Sequence, residues 1–264
     1  MNRLTTIRVD RDGPVARLVL NRPDVRNAFN EVMIAELLEA LRRLAEEPDV
    51  RVVILMGEGP VFCAGADLNW MRRSAQFSRE ENHADAMRLA TLVETLDTLP
   101  FPTVARVQGA AVGGALGLVA ACDVAVAAET AFFAFSEVRL GLAPAVIAPY
   151  VLRRIGPGAA RQAFVTAARI PAPRALEIGL VNRIVPEDRL EETVGETIQQ
   201  LLQCGPHAQA ACKELIRRVP GMDAAAVKTY TAETIADLRA GEEGREGVQA
   251  FLEKRRPAWR IETP

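Results

Sequence analysis

The sequence predicts an α/β protein with a helical C-terminal appendage. Short apolar runs alternate with helical periodicity through roughly the first half of the chain. Prolines and glycines punctuate these runs at short intervals, which suits compact crossovers between strand and helix. After Pro144 the pattern becomes mainly helical to the end.

Taken in order, Thr5 to Asp10 and Val15 to Leu20 flank Asp10-Arg11-Asp12-Gly13, a hairpin signature. Ile34, Leu37, Leu38, Leu41, Leu44 and Ala45 follow helical spacing, and Pro48 closes that helix. Arg51 to Met56 is a short apolar strand ending in the loop Gly57-Glu58-Gly59-Pro60. Ser78 with Glu81 forms a capping box that opens a helix towards Leu99, where Pro100 and Pro102 end it. Thr103 to Val107 is the next strand, Gly113 begins a small-residue helix, and Val124 to Ala127 is another strand. No linker or low-complexity segment divides the chain.

Composition narrows the function classes. The 264 residues are 49% apolar and 25% charged, as in a folded globular protein with a substantial core. A formal net charge of -2 lacks the basic footprint of a nucleic-acid binder. The cysteines (Cys63, Cys122, Cys204, Cys212) have no zinc or redox spacing, and His83 and His207 are the only histidines, so no metal site is expected. The first ten residues contain no apolar core of signal-peptide length, and a cytoplasmic location is the expectation. Gly109 to Ala128 is apolar enough to resemble a membrane span, but Asp123 lies inside it and no basic cluster flanks it. A short buried helix followed by a buried strand explains the same run.

Three segments can carry chemistry. Phe62-Cys63-Ala64-Gly65-Ala66-Asp67-Leu68 follows a strand and would aim unpaired N–H groups outward where a helix starts near Asp67; an ordinary tight turn reads equally well. Gln108 to Gly117 again runs from a strand through glycines into a helix, without the spacing of a dinucleotide fingerprint or the Lys-Ser/Thr of a phosphate loop. Close helix packing is the alternative there, whereas two converging amide clusters would suit an oxyanion. Phe133 to Leu142 places Glu137 in an apolar stretch, where desolvation raises a carboxyl pKa towards neutrality; the alternative is a Glu137–Arg139 surface pair.

In this order and spacing the three segments resemble the crotonase family of enoyl-CoA hydratases and isomerases. The resemblance also takes in Asn21-Arg22-Pro23, Arg26 to Asn30, Ala175 to Val185 and Phe251 to Arg255. It implies a spiral of repeated β-β-α units over residues 1–200, integrated with a helical trimerisation region over 201–264. It implies a thioester oxygen held by the backbone N–H groups of Ala66 and Gly114, the latter reinforced by its helix dipole. Coenzyme A contacts fall on Arg26, Ala28, Ala64, Asp67 and Leu68, with Phe251 and Lys254 reaching the coenzyme of a neighbouring subunit in a homotrimer or dimer of trimers. No separate cofactor is implied, since coenzyme A is part of the substrate.

Glu137 matches the family's proton-transfer glutamate. Two-glutamate hydratases carry a second carboxylate where this chain has Gly117, and Asp123 six residues on is a poor substitute. One glutamate serves a double-bond isomerase, a hydratase in which it both orients water and supplies the α-proton, or another activity of the superfamily such as decarboxylation. The run 136–147 resembles members acting on 3-methylglutaconyl-CoA and related branched thioesters. A missing side chain at Gly117 would leave room for such an acyl group and remove a repelling charge. The expected pocket walls are Trp70, Met71, Phe135, Ile147 and the helix after Phe77. Some relatives bind RNA through a lysine-rich helix, but Glu31 to Val50 contains no lysine, so RNA binding is not expected. A catalytically silent coenzyme A-binding protein would have little need of Glu137.

Overall fold

A computed structural model describes residues 4–261; the outermost residues of the two expected regions, 1–3 and 262–264, lie outside the described residues. The hairpin pairs β1 (Ile7–Asp12) antiparallel with β2 (Val15–Leu20). Its turn is tighter than the sequence suggests. Arg11 and Asp12 stay in the strand opposite Ala16 and Val15, and Gly13 takes the left-handed backbone that the reversal needs.

Helix α1 (Glu31–Glu46) starts where the Asn30 side chain accepts the Met33 N–H, and it buries the stripe Met33, Ile34, Leu37, Ala40, Leu41 and Leu44. Then come β3 (Val52–Gly57), α2 (Leu68–Ser74) and α3 (Arg79–Asp97), the last opened by the expected Ser78/Glu81 capping box. The chain continues through β4 (Thr103–Val107), β5 (Ala110–Val112), α4 (Ala115–Ala121), β6 (Val124–Ala128) and β7 (Phe132–Ala134). Helix α5 (Ala148–Thr166) is kinked at Gly156, before Pro157. It leads into β8 (Ile170–Pro171), α6 (Ala172–Glu177), β9 (Arg183–Val185) and α7 (Leu190–Leu202).

The main sheet has the order β1-β2-β3-β4-β6-β9, parallel from β2 onward, and a smaller sheet has the order β5-β7-β8. Parallel strands covered on both faces are apolar almost throughout, as Val-Val-Ile-Leu-Met-Gly in β3 illustrates. Each turn of the chain sends one strand to each sheet before a helix closes it: β4 and β5, then β6 and β7. The turn before these follows the same course in reduced form, with β3 in the main sheet and Cys63 bridged to Ala111 beside the smaller one. This is the expected β-β-α repetition. The apolar run Gly109 to Ala128 divides among β5, α4 and β6, and no helix among the described residues is long and apolar enough to cross a membrane.

Three helices follow: α8 (Pro206–Arg218), α9 (Ala224–Ala240) and α10 (Glu242–Leu252). Polar ties hold them to the spiral. Lys213 Nζ donates to the Phe101 carbonyl at 3.0 Å and to Asp123 at 2.8 Å, and Arg51 donates to the carbonyls of Cys204 and Trp259. Ile216, Val248, Phe251 and Leu252 are left exposed on α8 and α10.

Candidate active site

Two loops and one turn converge on a cavity of about 330 Å³. Backbone bonds hold the first loop against the second: Cys63 N–H donates to the Ala110 carbonyl, and Val112 N–H donates to the Cys63 carbonyl. A further pair, Phe29 N–H to Gly65 and Asp67 N–H to Phe29, fixes the peptide on either side of Ala66. Ala66 N–H is thereby left over. Gly114 is in the same position at the start of α4, where a first-turn amide has no intrahelical acceptor. Among the described residues neither N–H donates to any acceptor, and both residues line the cavity.

Glu137 lines it too. It begins a tight 3-10 turn, Glu137–Leu140, that ends on Gly141 with a left-handed backbone. An ideal Cβ at Gly113, itself at positive φ, would stand 3.5 Å from Glu137 Oε1, so a glycine there keeps the approach to the carboxylate open. Oε2 is buried with no hydrogen-bond partner among the described residues. Burial pushes the carboxyl pKa up, and a hydrogen bond from its own backbone only partly offsets this. The surface-pair alternative is not realised, because Arg139 donates instead to the Ala167 carbonyl at 2.9 Å.

The remaining walls are Phe29, Ile34, Trp70, Ala86, Leu89 and the run Leu142 to Ile147. Trp70, Ile147 and the helix after Phe77 therefore stand as expected. Met71 and Phe135 do not line the cavity. Phe135 is buried in the core, edge-on to Phe164 of α5 with ring centroids 4.8 Å apart.

The expectation of free space at Gly117 is corrected. A Cβ there would come within 2.9 Å of Ile147 Cβ and closer still to its Cγ2. Ile147 fills the volume, so the glycine exists to let that side chain pack on α4, and no vacancy opens towards the ligand. Asp123 lies away from the cavity, accepting from the Thr103 N–H and hydroxyl and from Lys213.

A second groove, of about 440 Å³, shares Ala66 with the first. It gathers Arg26, Ala28, Ala64, Asp67 and Leu68, together with Asp24, Asn69 and Arg72, which the sequence reading missed. Arg72 was readable only as one more exposed arginine, since what matters is its spacing on α2 relative to Arg26. Asp67 is a wall of this groove, but its carboxylate is otherwise engaged. It caps α2 by accepting from Asn69 and Trp70 N–H and pairs with Arg22 at 2.8 Å. Burial pushes its pKa up, but Arg22 and the two amides outweigh that and hold it below the usual aspartate range. Phe251 (82% exposed) and Lys254 line neither cavity within one chain.

Comparison with known proteins places the molecule. Residues 10–262 match the family model described as enoyl-CoA hydratase/isomerase. The chain is 44% identical to an enoyl-CoA hydratase from Shewanella pealeana, with a TM-score of 0.94 over 97% of this chain and 96% of that one. It is 37% identical to Pseudomonas aeruginosa AtuE, again with a TM-score of 0.94, over 97% and 100% of the two chains. It is 33% identical to the enoyl-CoA isomerase/hydratase fer4 of Mycosarcoma maydis over 92% of this chain and 91% of that protein. The chain belongs to the enoyl-CoA hydratase/isomerase family and has its α/β crotonase fold.

Proposed function

We propose that this protein hydrates branched 2-enoyl-CoA thioesters with Glu137 as the single carboxylate in proton transfer. The observation that carries the reading is the juxtaposition of two undonated amides, Ala66 and Gly114, with a partly buried carboxylate whose Oε2 lacks a partner among the described residues, all on one apolar cavity. In the hydration direction Glu137 removes a proton from water as its oxygen bonds to C3. The π electrons move towards the thioester, and the enolate oxygen is held by the two N–H groups. Glu137 then delivers the proton to C2. Fixed amides stabilise that oxygen without reorganising, an effect of about 3 kcal/mol per donor in comparable oxyanion holes.

The coenzyme extends through the adjoining groove, with Arg26 and Arg72 facing its phosphates as paired donors. Family assembly as a trimer would cover the exposed Phe251 and Leu252, and light scattering at three times the 28.7 kDa chain mass is the check. For the acyl group, the resemblance of the run 136–147 points to 3-methylglutaconyl-CoA. The apolar walls suit the branch. Among the described residues no cation lines the cavity, so a terminal carboxylate must find another partner there.

The isomerase reading also needs only one carboxylate, and the name of the Mycosarcoma maydis relative keeps it in view. Turnover measured side by side on crotonyl-CoA, 3-methylglutaconyl-CoA and a 3-enoyl-CoA separates the two. Conversion of the 3-enoyl thioester alone would replace hydration with isomerisation.

A further inference from the structure

A chain of hydrogen bonds runs from the Arg22 guanidinium to the Ala66 amide. Arg22 Nη1 donates to the Ala28 carbonyl at 2.6 Å. The other end of that peptide, the Phe29 N–H, donates to the Gly65 carbonyl at 2.7 Å. The Gly65 carbonyl in turn belongs to the peptide that carries the Ala66 N–H. In a trans peptide the C=O and N–H point in opposite directions, so the two units lie in series. A cation stands at one end and the undonated Ala66 N–H at the other. Hydrogen bonds in series polarise one another, the more so away from bulk water.

The origin of the chain is fixed. Arg22 Nη2 pairs with Asp67 at 2.8 Å, and the Asp67 N–H donates to the Phe29 carbonyl, so the fork grips both sides of the Phe29–Ala66 bridge. The Arg22 backbone is held too: its N–H donates to Asn27 Oδ1 and its carbonyl accepts the Asn27 N–H, each at 2.9 Å. Asn27 is fully buried, and its side-chain amide donates to the carbonyls of Glu58 and Val61. The second donor has a different source of polarisation. The carbonyl on its peptide, that of Gly113, accepts the Leu116 N–H in the first turn of α4. Ala66 lies ahead of α2 and is served by Arg22 instead.

We propose that Arg22 is a positioning residue, which orients and polarises the Ala66 N–H through the Ala28 and Gly65 peptides without touching the substrate. The proposal rests on the oxyanion reading of Ala66 and Gly114 and names the side chain behind one of the two donors.

The test joins kinetics to the infrared carbonyl band of bound [1-13C]butyryl-CoA, a saturated thioester that cannot be hydrated. In the wild type the band is expected to move to lower frequency on binding. Arg22→Met keeps an unbranched stem and removes the cation. It should return the band towards its solution position and lower kcat on crotonyl-CoA about 10–10²-fold, short of the roughly 10²–10³-fold cost of losing a whole donor, with KM changed by less than about 3-fold. Arg22→Lys, which keeps the charge as a point donor without the planar fork, should restore part of both. A wild-type band position or an unchanged kcat in folded Arg22→Met would overturn the assignment. Should that variant not fold, Arg22→Lys decides: a lowered kcat with a partly returned band supports the role, and wild-type values of either overturn it. A band that binding leaves unmoved in the wild type removes the reading beneath, whereas a wild-type shift that the variants retain refutes the role of Arg22 alone.

Discussion

Replacing Gly117 tests whether Ile147 occupies the place of a second carboxylate. In Gly117→Ala the new methyl group falls within 2.9 Å of Ile147 Cβ and closer to Cγ2, inside a helix whose residues are all buried. Overpacking of this kind costs about 1–3 kcal/mol, while alanine in place of a helical glycine returns about 1 kcal/mol. The net loss expected is about 0–2 kcal/mol. Ile147→Ala alone removes Cγ2 and opens a hole, for about 2–5 kcal/mol. In the double variant the new methyl group occupies part of that hole, so the losses should fall short of their sum by about 1–2 kcal/mol. Urea midpoints at fixed protein concentration give all four corners of the cycle. Additivity within about 0.5 kcal/mol would show that the two residues do not share the space, and the account of the missing glutamate would fail.

Other outcomes follow from the same geometry. Because burial raises the Glu137 pKa and the reaction begins from its ionised form, kcat/KM should fall with decreasing pH along a limb lying above the usual glutamate range; a limb within that range would contradict the role. Asp67→Ala removes both a helix cap and the partner of Arg22, for a loss of about 2–4 kcal/mol by denaturant melting, whereas Asp67→Asn keeps the cap and loses less. Since the folded pKa of Asp67 is lowered, its contribution is complete above the usual aspartate range and disappears as pH falls through the folded value, so wild type and Asp67→Ala should converge in acid. Arg26→Ala with Arg72→Ala should raise KM for coenzyme A thioesters while sparing kcat, and the difference from wild type should vanish with pantetheine thioesters, which lack the nucleotide phosphates.

Local signals were readable in advance because their causes are local. Ser78 and Glu81 sit three residues apart, and the helix they open begins where that spacing requires. Glu137 was legible for a similar reason, as a carboxylate surrounded in sequence by apolar residues. Strands β5 and β7 were not singled out, since three residues carry no period and their identity comes from pairing with each other. The meaning of Gly117 was misread on the same ground: its constraint is Ile147, thirty residues further on. Lys213 on Asp123 and the unpaired indole of Trp70 likewise exist only after folding. Phe135 looked like a pocket wall, but its side chain turns to Phe164.

The central claim is that one carboxylate moves the proton beside two backbone donors. Hydration of crotonyl-CoA by wild type and by Glu137→Gln, a nearly isosteric change at a site with room for either side chain, tests it most directly. A fall in kcat of about 10²–10⁴-fold with an unaltered melting profile is the predicted result. Turnover by the glutamine variant at the wild-type rate would contradict it.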